Sequence, residues 1–273
     1  MCPRRAHPVS EVVPVAHPPV LALRGITKRF GGVQALVDVD LQVRAGEVVA
    51  LAGDNGAGKS TLVKVISGVS PADRGVIEWE GRLVQIKRPH DAHALGIATV
   101  YQDLAMCDNL DVVGNLFLGR EIDRVGVLDE VEMERRARDL MRALSIRIPD
   151  VRVPVAVLSA GQRQAVAISR SLMGAPKVLL LDEPTAALGV EQTSHLLDLI
   201  EEVRDRGMAI ILISHNMGDI KAVADRVAVL RLGRNNGLFD VSTVTQEQII
   251  SSVTGAADNA VAHRSKGDEG AWP

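Results

Sequence analysis

Three short stretches carry residues whose types and spacing can do chemistry. The first is "GDNGAGKST", which matches G-x-x-x-x-G-K-[ST] in full. It comprises Gly53, Asp54, Asn55, Gly56, Ala57, Gly58, Lys59, Ser60 and Thr61, and it follows the apolar run "VVALA". The glycines let the backbone curl so that its N–H groups point inward at phosphates. Lys59 brings a cation to those phosphates and Ser60 a hydroxyl to Mg2+. The second stretch is "KVLLLDEPT", Lys177 to Thr185, in which an apolar run ends in two acids. Asp182 is placed to hold Mg2+, and Glu183 to orient or deprotonate an attacking water. The third is "LSAGQ", Leu158 to Gln162. A serine, two small residues and a glutamine at a helix start offer a hydroxyl and free backbone N–H groups to an anion. One chain therefore carries two phosphate-gripping helix starts, about a hundred residues apart.

The elements that must position these residues can be read from hydrophobic periodicity. "VVALA" (48–52), "VLLL" (178–181) and "AIILI" (209–213) are continuously apolar, as in strands of a parallel sheet covered on both faces. "VDVDLQV", Val37 to Val43, alternates between apolar and polar residues, which predicts a half-buried strand with "LALRGITKRF" as its antiparallel partner. From Asp129 the period changes: Met133, Ala137, Leu140, Met141 and Leu144 share one helical face, with Asp129 and Glu132 as a capping box. "EQTSHLLDLIEEVRDRG" is a second amphipathic helix, with Gly207 suited to its C-terminal end.

Composition bounds the class. The 273 residues are 47% hydrophobic, 24% charged and 2% aromatic, so the core is built from aliphatic side chains. The net charge of −3, without a basic run, argues against nucleic acid as a partner. Cys2 and Cys107 form no disulfide framework, which fits a reducing cytoplasm. No apolar run reaches the roughly 18 residues needed to span a bilayer, so any membrane role is peripheral. Residues 1–20 hold five of the twelve prolines and read as a flexible leader, and residues 256–273 as a flexible tail.

In order along the chain, "GDNGAGKST", "YQD", "LSAGQ", "LLLDEPT" and "ISH" resemble the ATP-binding subunit of an ABC transporter over about residues 20–255. "LSAGQ" carries most of that weight, because other phosphate-loop ATPases lack it. The resemblance implies an α/β phosphate-loop NTPase core with a parallel central sheet. An N-terminal antiparallel β part and an inserted α-helical subdomain at about 103–172 complete the implied domain, 21–255. It also implies ATP and Mg2+ as cofactors and a second copy of the chain as partner. In the family, two cassettes dimerise head to tail, and the phosphate loop of one faces the signature of the other. Ser159, Gly161 and Gln162 then belong to the site of the second copy, with Ser159 and the Gly161 N–H on the γ-phosphate. Phe30 matches the aromatic that stacks on adenine, the competing reading being a core phenylalanine. Gln102 matches the residue that senses Mg2+ and the attacking water, and His215 the histidine that contacts the γ-phosphate.

Two positions depart from the family pattern. Ala160 replaces the first glycine of the signature pair, and Gly189 stands where many members have an aspartate that contacts the other subunit. "VYQDLAMCDNLDVVGNLFLGRE", "TAALGVEQT" and "ISHNM" further resemble the ATPases of bacterial simple-sugar importers of the ribose, xylose and fructose type. That narrower likeness implies import of a monosaccharide at the cytoplasmic face of the membrane. Permease subunits would be direct partners, and a sugar-binding protein an indirect one. The alternatives are an exporter subunit or a soluble non-transport ABC ATPase.

Overall fold

The computed structural model describes residues 18–186 and 188–256, so most of the expected leader and tail lies outside the described residues. Two sheets and a group of helices make up the fold. The first sheet is antiparallel, in the order β2-β1-β4-β5: β1 (Leu21–Phe30), β2 (Val33–Val43), β4 (Arg74–Trp79) and β5 (Arg82–Val84). The expected alternation holds from Val39 to Val43, where Val39, Leu41 and Val43 are buried. It fails at Val37 and Asp38: the β1–β2 register shifts there and Asp38 takes φ 54, so Leu36 turns inward in place of Val37.

The second sheet has the order β12-β11-β3-β10-β9-β6. Its strands are β3 (Val48–Ala52), β6 (Ile97–Val100), β9 (Val178–Asp182), β10 (Ala209–Ile213), β11 (Arg226–Arg231) and β12 (Arg234–Asp240). All neighbours pair in parallel except β12, which lies antiparallel on the edge. The three continuously apolar runs are its central strands, buried on both faces. Their residues alternate between two cores. Val49 and Leu51 join a cluster with the first sheet and α1 (Lys59–Ile66). Val48, Ala50 and Ala52 join a cluster under the helices of the opposite face.

Between β6 and β9 the chain leaves the sheet. It forms α3 (Val112–Phe117), a hairpin of β7 (Asp123–Arg124) and β8 (Val127–Leu128), α4 (Glu130–Ala143) and α5 (Ala160–Leu172), around an apolar cluster of their own. α2 (Pro89–Leu95) precedes this excursion. Met133, Ala137, Met141 and Leu144 are buried as the period required, and Leu140 is partly buried. The capping box at Asp129 is only half formed. The Asp129 carboxylate accepts from the Glu132 N–H, but the Glu132 carboxylate turns to Arg135 and Arg136 instead of the backbone. Two guanidinium groups within reach outcompete one backbone donor. They hold the Glu132 carboxyl down at about 2. The remaining helices are α6 (Val190–Asp205), α7 (Met217–Val223) and α8 (Gln246–Thr254). Arg206 is the C-cap of α6, followed by Gly207 at φ 91, the left-handed conformation glycine adopts without strain. Among the described residues no helix is long and apolar enough to cross a membrane.

Candidate functional site

Four neighbouring strands deliver the chemistry from their carboxyl ends, the edge where ligands of parallel sheets collect. β3 runs into the glycine-rich loop and α1. β10 leads to His215, β9 to Asp182 and Glu183, and β6 to Gln102. These groups line one cleft of about 670 Å³, together with Asp54, Asn55, Gly56, Ala57, Gly58, Lys59, Ser60 and Thr61.

The loop's shape depends on glycine at two close approaches. A Cβ on Gly53 would lie 2.3 Å from the Leu230 carbonyl oxygen, and one on Gly58, at φ 107, would lie 2.8 Å from Leu36 Cδ2. Lys59 is buried, and its Nζ donates to the carbonyls of Gly53 (2.6 Å) and Asp54 (3.0 Å), so the ammonium is folded over its own loop. An ammonium satisfied by neutral carbonyls, at the mouth of a helix start, offers net positive field to an anion.

The acids sit in different environments. Burial pushes the Asp182 carboxyl above its ordinary value, and the negative charge of Glu183 adds to that, against the pull of Lys59 and Lys64. A divalent cation at this carboxylate would offset both penalties. Ser60, Gln102 and Asp182 form an all-oxygen donor set in the cleft. That set fits a small hard cation completed by phosphate and water. No cluster of three or more His, Cys, Asp or Glu exists among the described residues, as a dedicated protein cage would need. Glu183 takes φ 52, a left-handed conformation uncommon outside glycine. Its Oε2 lies 2.5 Å from Nδ1 of His215, whose side chain is 73% exposed.

Phe30 is not a core residue: it is 48% exposed. Lys28 Nζ stands 5.5 Å from its ring centroid, anchored to the Pro71 carbonyl and Asp73. Phe30 does not line the cleft, but its cross-strand partner Val33 does.

Ser159, Gly161 and Gln162 lie elsewhere. They line a second cavity of about 710 Å³ that shares no lining residue with the first. Ser159 caps α5: its Oγ accepts from the Gln162 N–H, and Gln162 Oε1 accepts from the Ser159 N–H. The Ser159 hydroxyl proton stays available to an anion, as do the early N–H groups at Ala160 and Gly161. Ala160 is the first residue of α5, an ordinary helical position that accommodates a methyl. Gly161 packs on α6, where a Cβ would come within 3.0 Å of Gln192 Cβ. Gly189, at the start of α6, has open space around it.

Sequence reasoning missed part of the cleft. Val33, Gln34 and Ala35 of β2, with Leu232 and Gly233 of the β11–β12 turn, also line it. Gly233 ties the two together, its N–H donating to the Ala57 carbonyl and its carbonyl accepting from the Val37 N–H. No local pattern in those segments signals a ligand. Asn115 was missed as well. It is fully buried in α3, and its amide bonds the backbone of Cys107, Leu110 and Asp111, shaping the loop after Gln102.

A phosphate-loop cleft at the carboxyl edge of a parallel sheet, with a separate capped helix start on an inserted helical layer, defines an ATP-binding cassette. The model of the ABC transporter family matches residues 36–186, and the chain belongs to that family of ATPases. It is 42% identical to the fructose import ATP-binding protein FrcA of Rhizobium meliloti, over 89% of this chain and 97% of that protein. It is 45% identical to the xylose/arabinose import ATP-binding protein XylG of Sulfolobus acidocaldarius, over 79% and 86%. The galactofuranose transporter ATP-binding protein YtfR of Escherichia coli is 42% identical over 88% of this chain, which spans about half, 48%, of that longer protein. Among solved structures, a nucleotide-free ATP-binding cassette from an ABC transporter superposes with a TM-score of 0.76 at 26% identity, covering 87% of this chain and 96% of that one. The ADP conformation of an ATP-binding cassette gives 0.75 at 26%, over 87% and 95%.

Proposed function

We propose that this chain hydrolyses ATP to power import of a monosaccharide through a separate membrane permease, working as a head-to-tail pair of cassettes. One observation carries the catalytic part: Lys59, Gln102, Asp182, Glu183 and His215 converge on one cleft from four adjacent strands. Likeness to sugar import proteins over nearly their whole length supports the transport part.

In this reading the glycine-rich loop and Lys59 bind the phosphates. Ser60, Asp182 and Gln102 hold Mg2+, which when bound neutralises charge on the phosphate oxygens. Glu183 orients the attacking water and accepts its proton. His215 leaves Glu183 to meet the γ-phosphate. Ser159 and Gly161 complete the site of the opposite cassette, which explains why one chain has two anion grips. Phe30 stacks on the adenine from the rim.

Phe30→Ala is expected to weaken ATP binding by roughly 1–3 kcal/mol, the usual worth of a base–aromatic stack, while Phe30→Tyr keeps it. Titration with a fluorescent ATP analogue measures this. Equal affinity in all three proteins would remove Phe30 from the nucleotide site.

Transport is tested in cells. Deleting the gene is expected to impair uptake of one pentose or hexose, and a permease and a sugar-binding protein should act with this chain. Normal uptake of all simple sugars, with raised sensitivity to an exported compound, would favour an exporter.

A further inference from the structure

The loop after β9 and the start of α7 are joined twice. The first link is the contact between Glu183 and the exposed side chain of His215. The second lies deeper: Thr185 Oγ1 donates to Asp219 Oδ2 at 2.5 Å, and Asp219 is only 4% exposed. Thr185 is two residues beyond Glu183, and Asp219 four beyond His215. We infer that the Thr185–Asp219 bond is a partly buried latch that keeps Glu183 and His215 in register, making both members positioning residues for hydrolysis.

The argument rests on the environments of the two links. A hydroxyl-to-carboxylate bond of this length, partly shielded from water with its carboxylate buried, is charge-assisted and stronger than a neutral one. The Glu183–His215 contact is open to solvent on its histidine side and must break when His215 turns to a γ-phosphate. The Glu183 N–H also donates to the Ile213 carbonyl at 3.0 Å, which holds the backbone of Glu183 to the end of β10 but does not reach α7. Once the Glu183–His215 contact breaks, the Thr185–Asp219 bond is the side-chain link between the Glu183 turn and α7 among the described residues. The surrounding turn supports the latch. Ala186 N–H donates to the Glu183 carbonyl and Leu188 N–H to the Thr185 carbonyl, so Thr185 is built into the turn that carries Glu183. On the other side, Asn216 caps α7 through the Gly218 N–H, and Asp219 follows in the same first turn. The two halves are thus locally rigid, and the latch joins them.

This inference depends on Glu183 being the base, and the test separates the two. Thr185→Val keeps the shape of the side chain and removes the donor. It is expected to lower the turnover number for ATP roughly tenfold or more, the scale on which a misplaced catalytic group slows chemistry, with KM and ATP affinity within about twofold. Thr185→Ser returns the hydroxyl and should restore turnover. Asp219→Asn keeps an acceptor oxygen without the charge, and a smaller loss is expected. Wild-type turnover in both Thr185→Val and Asp219→Asn, with only thermal stability changed, would overturn the latch. So would a loss in Thr185→Val that Thr185→Ser, folded to the same melting temperature, fails to rescue. Failure of the base assignment reads differently: Glu183→Gln would keep turnover whatever the Thr185 variants do.

Discussion

Glu183→Gln is expected to bind ATP as the native chain does and to hydrolyse it at least about a hundredfold more slowly, the scale of removing a general base. The substitution replaces one carboxylate oxygen with an NH2 group, giving an amide of the same shape. The one remaining oxygen can still accept from Nδ1 of His215, so the 2.5 Å contact need not be lost. The phosphate loop is untouched, because Lys59 bonds Gly53 and Asp54 and not the acid. What disappears is the group proposed to accept the water's proton. Single-turnover hydrolysis with a parallel ATP titration separates binding from chemistry. Lys59→Ala gives the opposite signature, a loss of phosphate binding itself. Wild-type turnover in the glutamine chain would strip Glu183 of its role and leave the strained backbone at φ 52 unexplained.

A mixture of two inactive chains is expected to recover activity. Lys59→Ala disables the phosphate-loop cleft, and Ser159→Arg fills the signature helix start with bulk and charge. The two groups line cavities that share no residue, so within one chain neither can complete the other's site. In a head-to-tail heterodimer one composite site carries both defects and the other carries neither. Random pairing then gives up to about a quarter of native activity, since half the dimers are mixed and each has one sound site. Replacing the capping serine also removes a helix cap worth about 1 kcal/mol, so the Ser159→Arg chain must first be shown to be folded. Crosslinking confirms that heterodimers form. If they form and bind ATP, yet no dimer closes at the sound composite site, the signature does not act in trans.

Much of this was legible in the sequence because it is local. The phosphate loop is a nine-residue motif whose glycines meet their own backbone demands, with Gly53, Gly56 and Gly58 all at positive φ. The strands β3, β9 and β10 announced themselves as short apolar runs, since a strand buried on both faces has no polar side to show. The α4 face was legible from a period of 3.6. Two local readings still went astray where a non-local competitor or an irregularity intervened. The Glu132 carboxylate chose arginines over its cap, and the bulge at Asp38 turned Val37 away from the core.

The sequence by itself therefore determined the loop, the acids at a strand end, the capped signature helix and the class of chemistry, because each is written within a few consecutive residues. Only the tertiary structure decided that β3, β10, β9 and β6 lie side by side, and so that Lys59, His215, Glu183 and Gln102 share one cleft. It also decided that Ser159 faces a different cavity, that Val33 and Leu232 wall the nucleotide cleft, and that Thr185 meets Asp219. The order of strands in a parallel sheet is set by which apolar faces pack across helical crossovers. That choice is made between segments tens of residues apart and leaves no periodic trace in any one of them.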